Sequence, residues 1–345
     1  MAIGISNFAD RICETVCAKR SILCAGLDPQ LRYMPPPLVK SIVGKYGRTL
    51  AAVGELYYEF NCQILNAVFD IVACVKPQRA FYEMYGPAGD WAFVRTVAYA
   101  KSLGLQVIED GKRGDGGDTA EAYADGHLGE VPMFGKGEDV MDLITLPSPT
   151  RVDCLTVHGY IGEDCVCRFI TRGVKEYGTG IFVVTKTSFT PNSRVEQLVT
   201  RPGCEEHGLA PTMVWQELAR MVEEWGVGTE GESGIRNVGV VMGATYPKDA
   251  PTMREILPNA MLLIPGFGRQ GGGADAAVVG LREDGLGGIV NNSRGLIYAW
   301  QKGDYACEPE KFAEAARKQA LADRLALAKA AKNAGKWPFD LPTAA

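Results

Sequence analysis

The chain has 345 residues, 46% apolar and 22% charged, with a net charge of −5. This is the composition of an ordinary globular protein of one large domain or two, and the lack of a long Lys/Arg run argues against nucleic acid as a partner. No stretch of about 18 apolar residues occurs, so no membrane span is expected.

The first 17 residues, MAIGISNFADRICETVC, carry Asp10 and Glu14 and have no uninterrupted apolar core. They read as an amphipathic helix, not a signal peptide. Without a secretory signal the ten cysteines read as reduced intracellular thiols, and the protein as cytoplasmic. Cys24, Cys74 and Cys154 fall inside apolar runs, where a thiol behaves as a small hydrophobe. Cys13 and Cys17 are one helical turn apart, and Cys165-x-Cys167 lacks the second half of a zinc site.

Eight short runs rich in Val, Ile and Leu then recur, at 22–28, 73–76, 105–112, 154–160, 181–188, 239–246, 261–268 and 288–294. Segments of helical period, such as 50–72 and 212–225, separate most of them. Continuous apolar strands alternating with helices imply parallel strands buried on both faces. Eight such units predict an α/β fold of the (β/α)8 TIM-barrel type. An open doubly wound sheet would show a Gly-x-Gly-x-x-Gly turn after its first strand, which is missing here. The barrel is assigned to residues 1–303, with an added N-terminal helix. In the tail, 304–345, Phe312, Ala316, Ala320, Leu321 and Leu325 recur at helical spacing. That tail either packs on the barrel or leads toward a further domain. The stretch 189–211, with Thr190 and Asn192 near its start, has no periodicity and reads as a long surface loop.

Reactive or small residues gather at the C-terminal ends of the predicted strands, which converge on one mouth in a barrel. They are Asp28, Lys76, Asp110 with Lys112, His158, Lys186 with Ser188, Gly266 with Gly268, and Arg294. The densest group is Asp110-Gly-Lys112-Arg113-Gly114-Asp115. On a strand, residues i and i+2 share a face, so Asp110 and Lys112 point the same way, with Asp115 in the turn beyond. Ion pairs contribute little net stability, so such a cluster suits stabilising charge that develops in a reaction. Pro265-Gly-Phe-Gly268-Arg-Gln270-Gly-Gly-Gly273 follows the seventh strand, and Asn291-Asn-Ser293-Arg294-Gly295 ends the eighth. Loops at these two places often bind phosphate through close-approaching backbone N–H groups and an arginine.

Plainer roles are assigned elsewhere. Asp28 before Pro29 also suits a simple turn. Asp118, three residues before Glu121, reads as a helix cap. Arg113 is expected to face away from Lys112 into solvent, and His158 to make a structural hydrogen bond. His127 and His207 read as surface or loop residues, and Lys186 has no assigned role. No group of residues has metal-ligand spacing.

The segments AGLDP (25–29), VKPQRAFYE (75–83), EDGKRGDGGDT (109–119), VTKTS (184–188), PGFGRQGG (265–272) and NNSRGLIYA (291–299) together resemble the orotidine 5'-phosphate decarboxylases. The similarity is nearest to the branch with a KPQ…FYE motif, and it spans about 23–299. The resemblance implies a homodimer without metal or cofactor that converts orotidine 5'-monophosphate to uridine 5'-monophosphate. It implies that Asp28 and Lys76 bind ribose hydroxyls, with Lys76 also in the charged array. Asp110 would lie beside the substrate carboxylate, with Lys112 as proton donor. Asp115 would reach the other subunit's site, with Thr119 helping there at the ribose. Ser188 would bond the pyrimidine, and Gln270 and Arg294 would hold the phosphate. One departure stands out: where the family has an apolar β-branched residue after the distal aspartate, this chain has Gly116. Two other functions compete: a magnesium-dependent sugar-phosphate decarboxylase or aldolase on a related barrel, disfavoured by Lys76, and a nucleotide-binding relic weakened by Gly116.

Overall fold

A computed structural model describes residues 7–137, 141–189, 194–200, 211–268 and 272–343. Eight parallel strands close into a barrel, in chain order around the ring: β1 Leu23–Leu27, β2 Cys74–Pro77, β3 Gln106–Arg113, β6 Cys154–His158, β7 Gly180–Lys186, β8 Arg236–Met242, β9 Ala260–Ile264 and β10 Gly288–Asn292. Ring closure is made by β10 against β1, where Leu23 pairs with Val290 and Ala25 with Asn292. All eight predicted strands are present, shifted by a few residues at their ends. Strands β1, β2, β8, β9 and β10 are buried along their whole length. Burial on both faces leaves no room for the alternation of a half-solvated strand, which is why these segments read as apolar runs.

The helices start where local chemistry satisfies their first N–H groups. Asn7 caps α1 (Phe8–Lys19), its side chain accepting from the Asp10 N–H. Thr49 caps α3 (Leu50–Val68), accepting from the Ala52 N–H at 3.1 Å. Such caps contribute about 1 kcal/mol each. Helix α1 packs against the N-terminal ends of β7 and β8. The ring of Phe8 meets Phe182 edge-on at 6.3 Å, and the Ala9 N–H bonds Asn237 Oδ1 at 2.9 Å. It closes the barrel end opposite the mouth. Cys24, Cys74 and Cys154 are fully buried in the strands, and burial pushes the Cys74 and Cys154 thiols well up, so they act as inert apolar groups.

One feature, a hairpin, was not expected, and the tail takes the first of its two expected courses. Residues 130–134 and 143–147 form an antiparallel hairpin, β4 (Glu130–Phe134) and β5 (Leu143–Pro147), outside the barrel. Its apolar side chains, among them Phe134, Leu143 and Ile144, are exposed, so the buried-strand pattern had nothing to detect. The tail forms α12 (Phe312–Asn333), which packs onto the barrel through Phe312, Ala316, Ala320 and Leu327. Phe312 stacks on Phe60 of α3 at 5.0 Å. Only part of the 189–211 loop is described; Thr190, Asn192 and His207 lie outside the described residues.

Candidate active site

The mouth is built around one carboxylate. Asp110, near the end of β3, accepts four hydrogen bonds: Lys76 Nζ at 2.7 Å and Gln78 Nε2 at 3.0 Å on Oδ2, Lys112 Nζ at 2.5 Å and Thr156 Oγ1 at 3.0 Å on Oδ1. Burial alone would raise its pKa, but the Lys76 and Lys112 ammonium groups outweigh burial and hold Asp110 well below the usual carboxylate range. The same logic runs the other way for Lys76, which is 4% exposed. Burial opposes its charge, and Asp110 and Asp28 more than restore it, keeping Lys76 charged beyond an ordinary lysine.

Lys112 differs from Lys76 in two ways. Its side chain is 39% exposed, and its backbone sits at φ +47°, the left-handed region that non-glycine residues rarely occupy. The pairing of β3 with β6 shifts register between Glu109 and Arg113, and the Lys112 N–H donates to Thr156 Oγ1 at 2.9 Å instead of continuing the ladder. Asp110 and Lys112 meet as the i, i+2 argument expects, but across a bulge that turns the lysine back over the carboxylate. Held strain of this kind concentrates at functional sites. In the single chain the buried ammonium is Lys76, and Lys112 is the one open to the mouth.

Asp110, Lys112, Lys76, Asp28, Ser188 and Arg294 line one cavity of about 190 Å³. Asp28 follows β1; burial raises its pKa, opposed by Lys76 and by a bond with Ser293, and its buried Oδ1 has no partner among the described residues. Ser293 can come this close because residue 26 is glycine: a Cβ there would lie 1.9 Å from Ser293 Oγ. Ser188 is held from above by Thr245 Oγ1, which donates to its carbonyl at 3.2 Å. Arg294 opens a short helical turn after β10, and its side chain makes no hydrogen bond or ion pair among the described residues. The loop after β9 turns through Gly266 and Gly268, both at positive φ, and the Gly268 N–H bonds the Gly272 carbonyl at 3.0 Å. Gln270 lies outside the described residues.

Asp115 and Thr119 are not brought to this cavity. Both are exposed, the Asp115 side chain accepting, among the described residues, only from the Gly116 N–H at 2.8 Å, and Thr119 lying in the first turn of α6 (Gly117–Leu128). The cap of α6 is Gly116, not Asp118, which stands inside the first turn. The side chain that reaches the helix start is Asp164, accepting from the Gly117 N–H at 3.0 Å. Two polar neighbours, Gln78 and Thr156, escaped the sequence reading although both bond Asp110. Gln78 stood within the quoted KPQ motif, and Thr156 is a lone hydroxyl inside an apolar run. Arg113 is not solvated but ion-paired to Glu83. His127 is not a surface residue: its Nδ1 lies 2.8 Å from the fully buried Glu109. His158 is exposed and makes no side-chain hydrogen bond among the described residues. Lys186 is fully buried between Asp249 at 3.6 Å and Glu196 at 3.8 Å.

Residues 21–303 match the model of the orotidine 5'-phosphate decarboxylase / HUMPS family. An orotidine 5'-phosphate decarboxylase of Rhodopirellula baltica is 35% identical over 300 residues, covering 87% of this chain and 91% of the relative. That of Caldicellulosiruptor saccharolyticus is 33% identical over 295 residues, covering 86% and 90%. The structure of Leishmania donovani OMP decarboxylase superposes with a TM-score of 0.63 at 26% identity, over 92% of this chain and 99% of the other.

Proposed function

The chain belongs to the orotidine 5'-phosphate decarboxylase family and converts orotidine 5'-monophosphate to uridine 5'-monophosphate and carbon dioxide, and we propose that Lys112 is the acid of this reaction, held in place by Asp110. The observation that carries the assignment is the shared carboxylate: Asp110 grips a buried ammonium, Lys76, with one oxygen and an open one, Lys112, with the other.

Loss of carbon dioxide from carbon 6 of the pyrimidine leaves a carbanion in the plane of the ring, with no conjugated electron sink. Fixed charges already in place must stabilise it, because they cost no reorganisation at the moment of reaction. The Lys112 ammonium does this and then delivers its proton to carbon 6. Asp110 anchors the Lys112 ammonium through a 2.5 Å hydrogen bond and stands against the departing carboxylate, a repulsion relieved as neutral carbon dioxide forms. Enzymes reach accelerations of ~10¹⁷-fold, about 23 kcal/mol, more than one ion pair supplies. The remainder comes from binding the remote parts of the substrate. Arg294, with Gln270, takes the phosphate. Asp28, through its unfilled Oδ1, and Lys76 take ribose hydroxyls, and Ser188 takes the pyrimidine.

The active unit in this reading is a homodimer in the cytoplasm. Asp115 and Thr119 are exposed and do not line their own cavity, and in this reading each completes the site of the partner subunit. The test is Lys112→Ala, assayed by the absorbance change of orotidine 5'-monophosphate with EDTA present. Turnover should fall by several orders of magnitude while the fold persists, and near-normal turnover would remove Lys112 from its role. Mixing Lys112→Ala with Asp115→Ala protomers should restore part of the activity through one intact hybrid site. No recovery in verified heterodimers would sink the shared site.

A further inference from the structure

We infer that Asp323, on the C-terminal helix α12, is a positioning residue for the phosphate end of the active site, acting through Asn292. The inference rests on the placement of the substrate phosphate between the loops after β9 and β10.

Asn292 is the last residue of β10 and lines the cavity beside Arg294. Its amide packs against the two glycine turns that border this end. A Cβ on Gly295 would lie 2.6 Å from Asn292 Oδ1, and one on Gly268 would lie 3.8 Å from the same amide. Which way the amide faces therefore decides whether a donor or an acceptor lies nearer the Gly295 turn, where Nδ2 is 3.0 Å from such a Cβ; the Gly268 turn is equidistant from the two atoms. Asp323 settles the matter: Asn292 Nδ2 donates to Asp323 Oδ2 at 2.7 Å. An ionised carboxylate can only accept, so the NH2 group must face α12 and the carbonyl oxygen must face the Gly295 turn. Asp323 is fixed in turn by Gln319 Nε2, which donates to its Oδ1 at 2.8 Å.

Stability does not explain this residue. Asp323 lies on the stripe 316, 320, 323, 327 that α12 buries against the barrel, and its three companions there are Ala316, Ala320 and Leu327. It is 6% exposed and forms no ion pair among the described residues. Burial raises its pKa to about 6, against the pull of the bonds from Asn292 and Gln319. A buried carboxylate without a cation costs free energy that an apolar side chain at this position would not. The helix lies outside residues 21–303, the segment matched by the family model, yet through Asp323 it reaches a residue lining the active-site cavity.

The test compares Asp323→Ala, which removes the acceptor in an alanine-rich helix, with Asp323→Asn, whose oxygen can still receive the Asn292 amide once Gln319 turns over. Asp323→Ala should raise KM about tenfold with kcat nearly unchanged. It should weaken binding of uridine 5'-monophosphate but not of uridine, which lacks the phosphate. Asp323→Asn should restore KM. If UMP and uridine weaken together, or if KM stays at the wild-type value, Asp323 does not position the phosphate end. Should Asp323→Ala not fold, Asp323→Ser serves, with the same two outcomes. Arg294→Ala, run in parallel, separates the failures. If it too leaves UMP binding intact, the phosphate placement itself is wrong; if it alone weakens UMP, only the role of Asp323 falls.

Discussion

Replacing Asp110 by Asn keeps the shape of the hub and removes its charge. The amide can accept from one lysine, but its NH2 group then faces the other, so one ammonium loses its acceptor. A hydrogen bond to a charged group contributes about 1.5–3 kcal/mol, which applies to the buried Lys76 arm. The Lys112 arm, on a 39% exposed side chain, is screened by solvent and contributes about 1 kcal/mol or less. We predict that losing the charge that both arms share makes Asp110→Asn less stable by about 1.5–4 kcal/mol at pH 7. The pH dependence follows from the depressed pKa of Asp110. Its stabilisation is complete above the unfolded value of about 3.9 and is lost as pH falls from there through the folded value. The gap between wild type and variant should therefore be constant from pH 7 to about 5 and narrow below about pH 4. Urea unfolding followed by circular dichroism at pH 7 and pH 3 measures it. Turnover should also drop at least about a hundredfold, since a fixed charge at the reacting centre is lost. Equal stabilities at pH 7, or a gap that survives unchanged at pH 3, would refute the hub.

Three further outcomes are expected. Arg294→Ala should raise KM about tenfold or more and leave thermal stability unchanged, because this side chain has no partner among the described residues to orphan; an unaltered KM would contradict its phosphate role. Gly116→Ile should fold normally, since φ is −101° there, with only Asp164 Oδ2, 3.2 Å from the new Cβ, having to yield. It should raise kcat/KM by restoring an apolar contact, and a folded variant with no gain would show that Gly116 costs nothing. Gly26→Ala should push Ser293 off Asp28, lowering stability by about 1–3 kcal/mol and weakening UMP binding; calorimetry and titration that match wild type would remove Ser293 from the site.

The barrel was legible in the chain because its strands are buried on both faces, and double burial writes an uninterrupted apolar run. The polar ends of those runs identified Asp28, Lys76, Asp110, Lys112, Ser188 and Arg294, since parallel strands in a closed ring must deliver their ends to one mouth, and the structure gathers these six around one cavity. The hairpin β4–β5 escaped because it is exposed, and exposed strands carry no burial signal. Other features depended on contacts between residues far apart in sequence. Thr156 sits 46 positions from the Asp110 it bonds, and Asp164, 47 positions from Gly117, took the helix-start role expected of Asp118. The left-handed turn that folds Lys112 over Asp110 arises from a register shift between β3 and β6. Spacing along one strand tells which side chains share a face; which carboxylate satisfies which donor is settled only when the ring closes and desolvation forces every buried polar group to find a partner.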